Sequence, residues 1–227
     1  MVRLLLIRHG QTPSNVAGVL DTGIPGPGLT ELGAEQAQRI PEALVGDLVD
    51  SIHVSRMVRT RLTAEPLAAA LGIEPVELPG IHEIRAGDLE MRGDRDSIRV
   101  YLETAFAWGL GELDRRMPGG EDGHEFFQRF DEGIATVGAS GADTAAVFSH
   151  GAAIRVWTAG RCVNVPPMFS GSHELDNTGI VELTGSPDEG WQLIAWQGTP
   201  VGGEVLADGT AEDPTGETLE SAGADPA

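Results

Sequence analysis

Apolar residues first gather from Val2 to Ile7, a short run interrupted only by Arg3 and bounded by Gly10 and Pro13, the pattern of a buried strand. A polar loop follows, densest in glycine and proline from Gly23 to Gly28. Thr30 is placed to cap a helix with Ala34, Ala37, Ile40 and Leu44 on one face, and Pro41 is expected to kink or divide it. Ser51 to Val54 reads as a second strand, and Met57 to Leu71 as a helix stopped by Gly72. Pro75 to Leu78 makes a third strand leading into a loop around Glu83. The stretch from about 94 to Pro118 is helical, and Phe127, Phe130, Ile134 and Val137 then recur at helical spacing as core residues. Thr144 to Phe148 is another strand, Ala152 to Arg161 another helix. Ile180 to Leu183 and Trp191 to Trp196 close the pattern as a hairpin across Gly185 to Asp188.

Strands alternating with helices predict an α/β fold, a three-layer sandwich with a mostly parallel central sheet flanked by helices. Ligands in such sheets bind outside the carboxyl ends of the strands. That rule singles out the residues just after Ile7, Val54 and Phe148.

At 227 residues the chain suits one domain, 1–197, followed by a tail, 198–227, holding seven acids and no base among Gly, Ala, Thr and Pro. So few large apolar residues in the tail offset little ordering entropy, and it is expected to be flexible. The formal net charge is −20, and all 15 basic residues are arginine. Strong negative charge disfavours nucleic acid and anionic membranes as partners. No apolar run reaches the length of a membrane span. With one cysteine, Cys162, there is no disulfide framework and no CxxC metal site. The absence of lysine removes P-loop and Schiff-base chemistry, and neither GxGxxG, HExxH nor GxSxG occurs. The expectation is a soluble cytoplasmic protein, monomer or homodimer, without cofactor or metal.

What stands at the strand ends is chemically specific. Arg8, His9, Gly10, Gln11 and Thr12 follow the first strand, with Asn15 close behind. Ser55 and Arg59 follow the second, and Ser149, His150 and Gly151 the fourth. Arginine offers a fixed donor fork matched to phosphate. Neighbouring guanidinium groups keep a histidine neutral, with a lone pair free to attack phosphorus. Charge on the equatorial oxygens of a loose transition state is what arginines and a second histidine stabilise.

Several ordered segments resemble the histidine phosphatase superfamily, the phosphoglycerate mutase-like group. They are Arg8-His9-Gly10 with Asn15; Leu29-Thr30 through Gln36-Ala37; Ser55, Arg59, Thr63 and Ala64; Ile81-His82-Glu83 with Gly87 and Glu90; Pro118 to Glu121; and Ser149-His150-Gly151. The resemblance covers residues 3 to 197. It implies that His9 is the phospho-acceptor, and that Arg8, Arg59 and His150 grip the phosphoryl group, with Asn15, Gly151 and backbone N–H groups assisting. It also implies that Glu83 protonates the leaving alkoxide and then activates water. Gln11, Thr22, Gly23 and Asn177 are candidates for the substrate pocket. The implied function is a metal-independent phosphatase acting on a small phosphorylated metabolite through a phosphohistidine. A phosphoglycerate mutase and a catalytically silent phosphoester-binding module on the same fold are the alternatives. The mutase branch has ERHYG where this chain has Glu83-Ile84-Arg85-Ala86-Gly87, which favours the phosphatase.

Overall fold

A computed structural model describes residues 1–208, 210–211, 213–218 and 220. The Val2–Arg8 run forms β1, the helical turn Pro13–Val16 is α1, and Glu31–Ala43 is α2. Ser51–Val54 (β2), Val58–Leu71 (α3) and Val76–Glu77 (β3) follow. The remaining elements are α4 (Arg95–Gly109), α5 (Gly123–Ala139), β4 (Thr144–Ser149), α6 (Gly151–Arg161), the turn α7 (Phe169–Ser172), β5 (Ile180–Ser186) and β6 (Gly190–Gln197).

The six strands lie in the order β3-β2-β4-β1-β5-β6. Strands β3, β2, β4 and β1 are mutually parallel, and β5 runs antiparallel to both of its neighbours. β1 and β4 are central, and helices cover both faces, which is why both strands are buried along almost their whole length and apolar through their middles rather than alternating. Leu5, Ile7, Ile52, Val54, Ala146 and Phe148 pack against Ile40 and Leu44 at the end of α2 and against Ala64 and Leu67 of α3. On the other face Leu4, Leu6, Ala145 and Val147 meet α4, α5 and α6. There the rings of Trp108, Phe126, Phe130 and Trp157 pack one against the next within the core. Each such side chain contributes about 2–3 kcal/mol by leaving water.

Three local expectations need correction. Pro41 does not divide α2; it sits in the last turn, where the helix has only two more residues to run. Ala34 is exposed, and Gly33 and Gln36 take the buried positions beside Ala37 and Ile40, because the polar Gln36 is satisfied from both ends: its Oε1 accepts from the Gln11 N–H and its Nε2 donates to the Leu206 carbonyl. The third strand is only two residues long.

The division at residue 197 also differs from the structure over the described part of the tail. Val201, Leu206, Pro214, Thr215 and Gly216 are buried. Composition missed this because the segment is held by a few polar anchors rather than by apolar area. The Arg155 guanidinium donates to the Thr215 carbonyl, and the Leu175 N–H donates to the Gly216 carbonyl. Residues 221–227 lie outside the described residues.

Candidate active site

The carboxyl ends of β1, β2 and β4 bring together the residues that the sequence separates. Register places Arg8 beside Ser149 and Val54 beside Phe148, so the loops that follow open at one edge of the sheet. His9 and His150 lie with ring centroids 5.2 Å apart. Both are buried, as are Arg8, Arg59 and Glu83. A small hollow is lined by His9, Thr12, Asn15, Asp21, Arg59 and Glu83, and is bordered by Asp213 and Thr215.

The tautomer of His9 follows from its neighbour. Its Nδ1 lies 2.8 Å from the Gly10 carbonyl, which can only accept, so Nδ1 carries the hydrogen and Nε2 the lone pair. The backbone is pinned as well: the Asn177 amide donates to the His9 carbonyl, and Thr63 Oγ1 accepts from the Gly10 N–H. Burial, then the charges of Arg59 and Arg8, push the His9 pKa well below the usual histidine value. The ring is therefore neutral at physiological pH.

His150 is held from two sides. Arg59 Nε donates to its Nδ1 at 3.3 Å, and Nε2 lies 2.8 Å from Ser55 Oγ. With Nδ1 accepting from Arg59, Nε2 carries the hydrogen and donates it to the serine hydroxyl, and Thr60 Oγ1 sits 3.0 Å behind. Burial first, and then Arg59 and His9, lower the His150 pKa too.

Arg8 is fully buried. Its guanidinium donates to the Leu175 carbonyl at 2.7 Å, to Asp213 Oδ1 at 2.7 Å and to Thr215 Oγ1 at 2.9 Å, while Nε has no partner among the described residues. Glu83 is seated on the start of α6. Its Oε1 accepts from the Ile84 and Ala153 N–H groups and its Oε2 from Ala152. Burial raises its pKa, and those N–H donors together with Arg59 and Arg8 only partly oppose the rise. A protonatable carboxyl thus stands beside a neutral imidazole and two guanidinium groups.

The expected substrate-pocket residues separate onto two sides. Thr22 and Gly23 line a wide cleft of about 630 Å³ together with Ile24, Arg85, Glu90 and Arg116. There the Glu90 carboxylate accepts from the Thr22 and Gly23 N–H groups, so it shapes the rim rather than serving as an acid at the hollow. Gln11 and Asn177 instead border a second cleft beside Asp176 and Asp208, because their amides are turned toward Asp208 and the His9 backbone. Gly151 is not on the wall of the hollow. It begins α6 at a point where a Cβ would strike the Thr215 carbonyl and approach Arg8 Nε to 3.0 Å. Arg56 and Arg61 are exposed and pair with Glu77, and His124 pairs with Asp114 at the surface. His53 is buried in β2, and His173 stacks on Phe169. His82 is buried, its Nδ1–H donating to the Glu83 carbonyl. Among the described residues no cluster of His, Cys, Asp or Glu could hold a metal ion.

Sequence reading missed Arg129, which carries no motif. From α5 it donates to the carbonyls of Gly80, His82 and Glu83 and makes a two-pronged pair with Glu121, so it fixes the loop that carries Glu83. Buried Arg155 was missed too; its burial, the largest effect, and the nearby charge of Arg8 bring it down to about 9. A lone arginine in an amphipathic helix gives no sequence signal of either role.

A family model described as histidine phosphatase superfamily (branch 1) matches residues 4–199. The chain is 39% identical over 215 residues to the PE-PGRS family protein PE_PGRS11 of Mycobacterium tuberculosis, covering 86% of this chain and 36% of that one. It is 34% identical over 135 residues to the adenosylcobalamin/alpha-ribazole phosphatase of Escherichia coli, covering 59% of this chain and 66% of that one. The chain thus spans less than two thirds of either relative. Among solved structures, the alpha-ribazole phosphatase of Shigella flexneri superposes with a TM-score of 0.68 at 27% identity, covering 86% of this chain and 96% of that one. A mycobacterial glucosyl-3-phosphoglycerate phosphatase shares the fold at a TM-score of 0.73 and 24% identity, over 88% of this chain and 100% of that one. Among the described residues no helix is long and apolar enough to cross a membrane.

Proposed function

The chain belongs to the histidine phosphatase superfamily (branch 1), and from that premise we propose that it hydrolyses the phosphomonoester of a small metabolite through a phosphohistidine on His9. One observation carries the reading: a buried histidine whose Nδ1–H is fixed by the Gly10 carbonyl lines the same hollow as Arg59 and Glu83. In the first step the Nε2 lone pair forms a bond to phosphorus while the bond to the ester oxygen breaks. Glu83 gives its proton to the departing alkoxide. In the second, Glu83 takes a proton from water, the water oxygen bonds to phosphorus, and the P–N bond returns its electrons to His9. Arg8, Arg59 and Asn15 surround the equatorial oxygens. When Arg59 turns to the phosphoryl group, Ser55 can donate to His150 Nε2. His150 then carries its hydrogen on Nδ1, where it donates to the same anion.

The organic part of the substrate is assigned to the wide cleft with Arg85, Glu90 and Arg116, whose mixed charges suit a polar metabolite. The alpha-ribazole phosphatase and glucosyl-3-phosphoglycerate phosphatase names of similar proteins support a phosphorylated metabolite as the class. A cytoplasmic location is part of the proposal, consistent with a single buried thiol at Cys162. The test is rapid quenching with labelled substrate: an acid-labile, base-stable phosphoenzyme is expected in the wild type and not in His9→Ala. Persistence of the label in the variant overturns the role of His9. Phosphoryl transfer between hydroxyls that depends on a bisphosphoglycerate primer, with little net phosphate release, would move the chain to mutase chemistry.

A further inference from the structure

The anion donors of this site are already engaged, and by the chain itself. Asp213 Oδ1 accepts from the Arg8 guanidinium at 2.7 Å and from the Asn15 amide at 3.0 Å, two of the groups assigned above to the phosphoryl oxygens. Thr215 Oγ1 takes a further Arg8 hydrogen. Because Asp213 and Thr215 border the hollow that His9 and Arg59 line, the volume left there is about 10 Å³, roughly what one water needs. A phosphoryl group does not fit while the turn is seated. Nor can a dianion share these donors with a carboxylate, since like charges at contact repel strongly in a buried site.

We propose that the turn at residues 213–216 is an intramolecular plug, in which the Asp213 carboxylate occupies the phosphoryl subsite and competes with the substrate anion. The inference rests on the phosphatase reading for its consequence, and adds to it a resting state that must open before substrate binds. A carboxylate is a weak ligand for an arginine in solution, but tethering gives it a high effective concentration. The seat is shaped for it. A Cβ on Gly216 would collide with the Arg8 guanidinium, and a Cβ on Gly151 with the Thr215 carbonyl, so glycine at both positions lets the turn close. Arg155 adds a hydrogen bond to the Thr215 carbonyl at 3.1 Å.

If the plug is closed nine-tenths of the time, the apparent affinity for an anion falls about tenfold. The experiment is calorimetric titration of inorganic phosphate into the full chain, wild type against Asp213→Ala and Asp213→Asn, at fixed ionic strength. Both variants are expected to bind phosphate about tenfold more tightly, with KM for a phosphomonoester falling in parallel. Unchanged or weaker phosphate binding overturns the plug, and weaker binding would mean that Asp213 instead holds Arg8 in place. A second readout needs no variant. Saturating phosphate should speed cleavage of the wild-type tail at Glu217 by an acid-specific protease, and unchanged or slower cleavage counts against displacement. Tighter phosphate binding without turnover in any form would sink the phosphatase reading and leave the plug standing. Turnover with phosphate binding unaltered by the substitutions would do the reverse.

Discussion

Replacing Glu83 by glutamine isolates the acid–base step, because it removes one proton while keeping the shape of the side chain. The carboxylate accepts three backbone N–H groups, Ile84 and Ala153 on Oε1 and Ala152 on Oε2. An amide keeps the first two on its oxygen and turns its own NH₂ toward the third, losing a 3.2 Å bond. That loss costs about 1–2 kcal/mol, offset in part because a neutral amide avoids the burial cost that raises the Glu83 pKa. For a chain of this size the melting temperature should then move by no more than about 8 °C. The kinetic effect is larger. A positioned general acid is worth about 10²–10⁴ in rate, and that contribution is needed only when the departing oxygen is strongly basic. The assay is the first half-reaction alone, formation of the phosphoenzyme in a single turnover. It compares an alkyl phosphate with p-nitrophenyl phosphate, whose leaving group needs no proton. The alkyl ester is expected to slow by about 10²-fold or more and the aryl ester by less than about tenfold. Equal slowing of the two would remove Glu83 from the acid role. Steady-state rates cannot separate these cases, since the same carboxyl serves as base in the second half.

Stability should fall in mild acid, as read from denaturant midpoints between pH 7 and 5. His9, His53, His82 and His150 all have lowered pKa values, chiefly through burial, so below the ordinary 6.5 the unfolded chain binds protons that the native state refuses. The stability is present above 6.5 and is lost as pH falls. His82, brought down to about 4, alone accounts for roughly 2 kcal/mol by pH 5, and His82→Asn should flatten the dependence. Arg129→Met strands Glu121 and frees the Glu83 loop, which should cost about 3 kcal/mol or more in urea unfolding. Turnover of alkyl phosphates should drop more than that of aryl phosphates, and an equal drop would argue that the clamp is only structural. Gly33→Ala drives a Cβ into the Gln11 backbone. It should cost about 1–3 kcal/mol and raise KM by displacing the loop after His9, whereas an unaltered KM would show that this loop tolerates the shift.

The layers of the fold, and which residues gather at one edge of the sheet, are legible in the amino-acid pattern alone. Runs such as Leu4 to Ile7 and Ala145 to Phe148 are continuous apolar stretches without alternation, which marks them as central strands, and the alternation with helices then points to a mostly parallel sheet. The positions after strand ends are equally legible, since topology forces them to one edge of the sheet. His9, Arg59 and His150 could therefore be grouped before any distance was known. Contacts between segments that share no pattern emerge only once the chain is folded. Arg129 reaching the Glu83 carbonyl spans 46 residues, and Arg8 reaching Asp213 spans 205. The tail is the clearest case. Its composition predicts little apolar burial, and composition counts area. What holds Asp213 to Thr215 is a few charge-assisted hydrogen bonds to buried arginines, and their strength depends on where those arginines stand rather than on the tail's own residues.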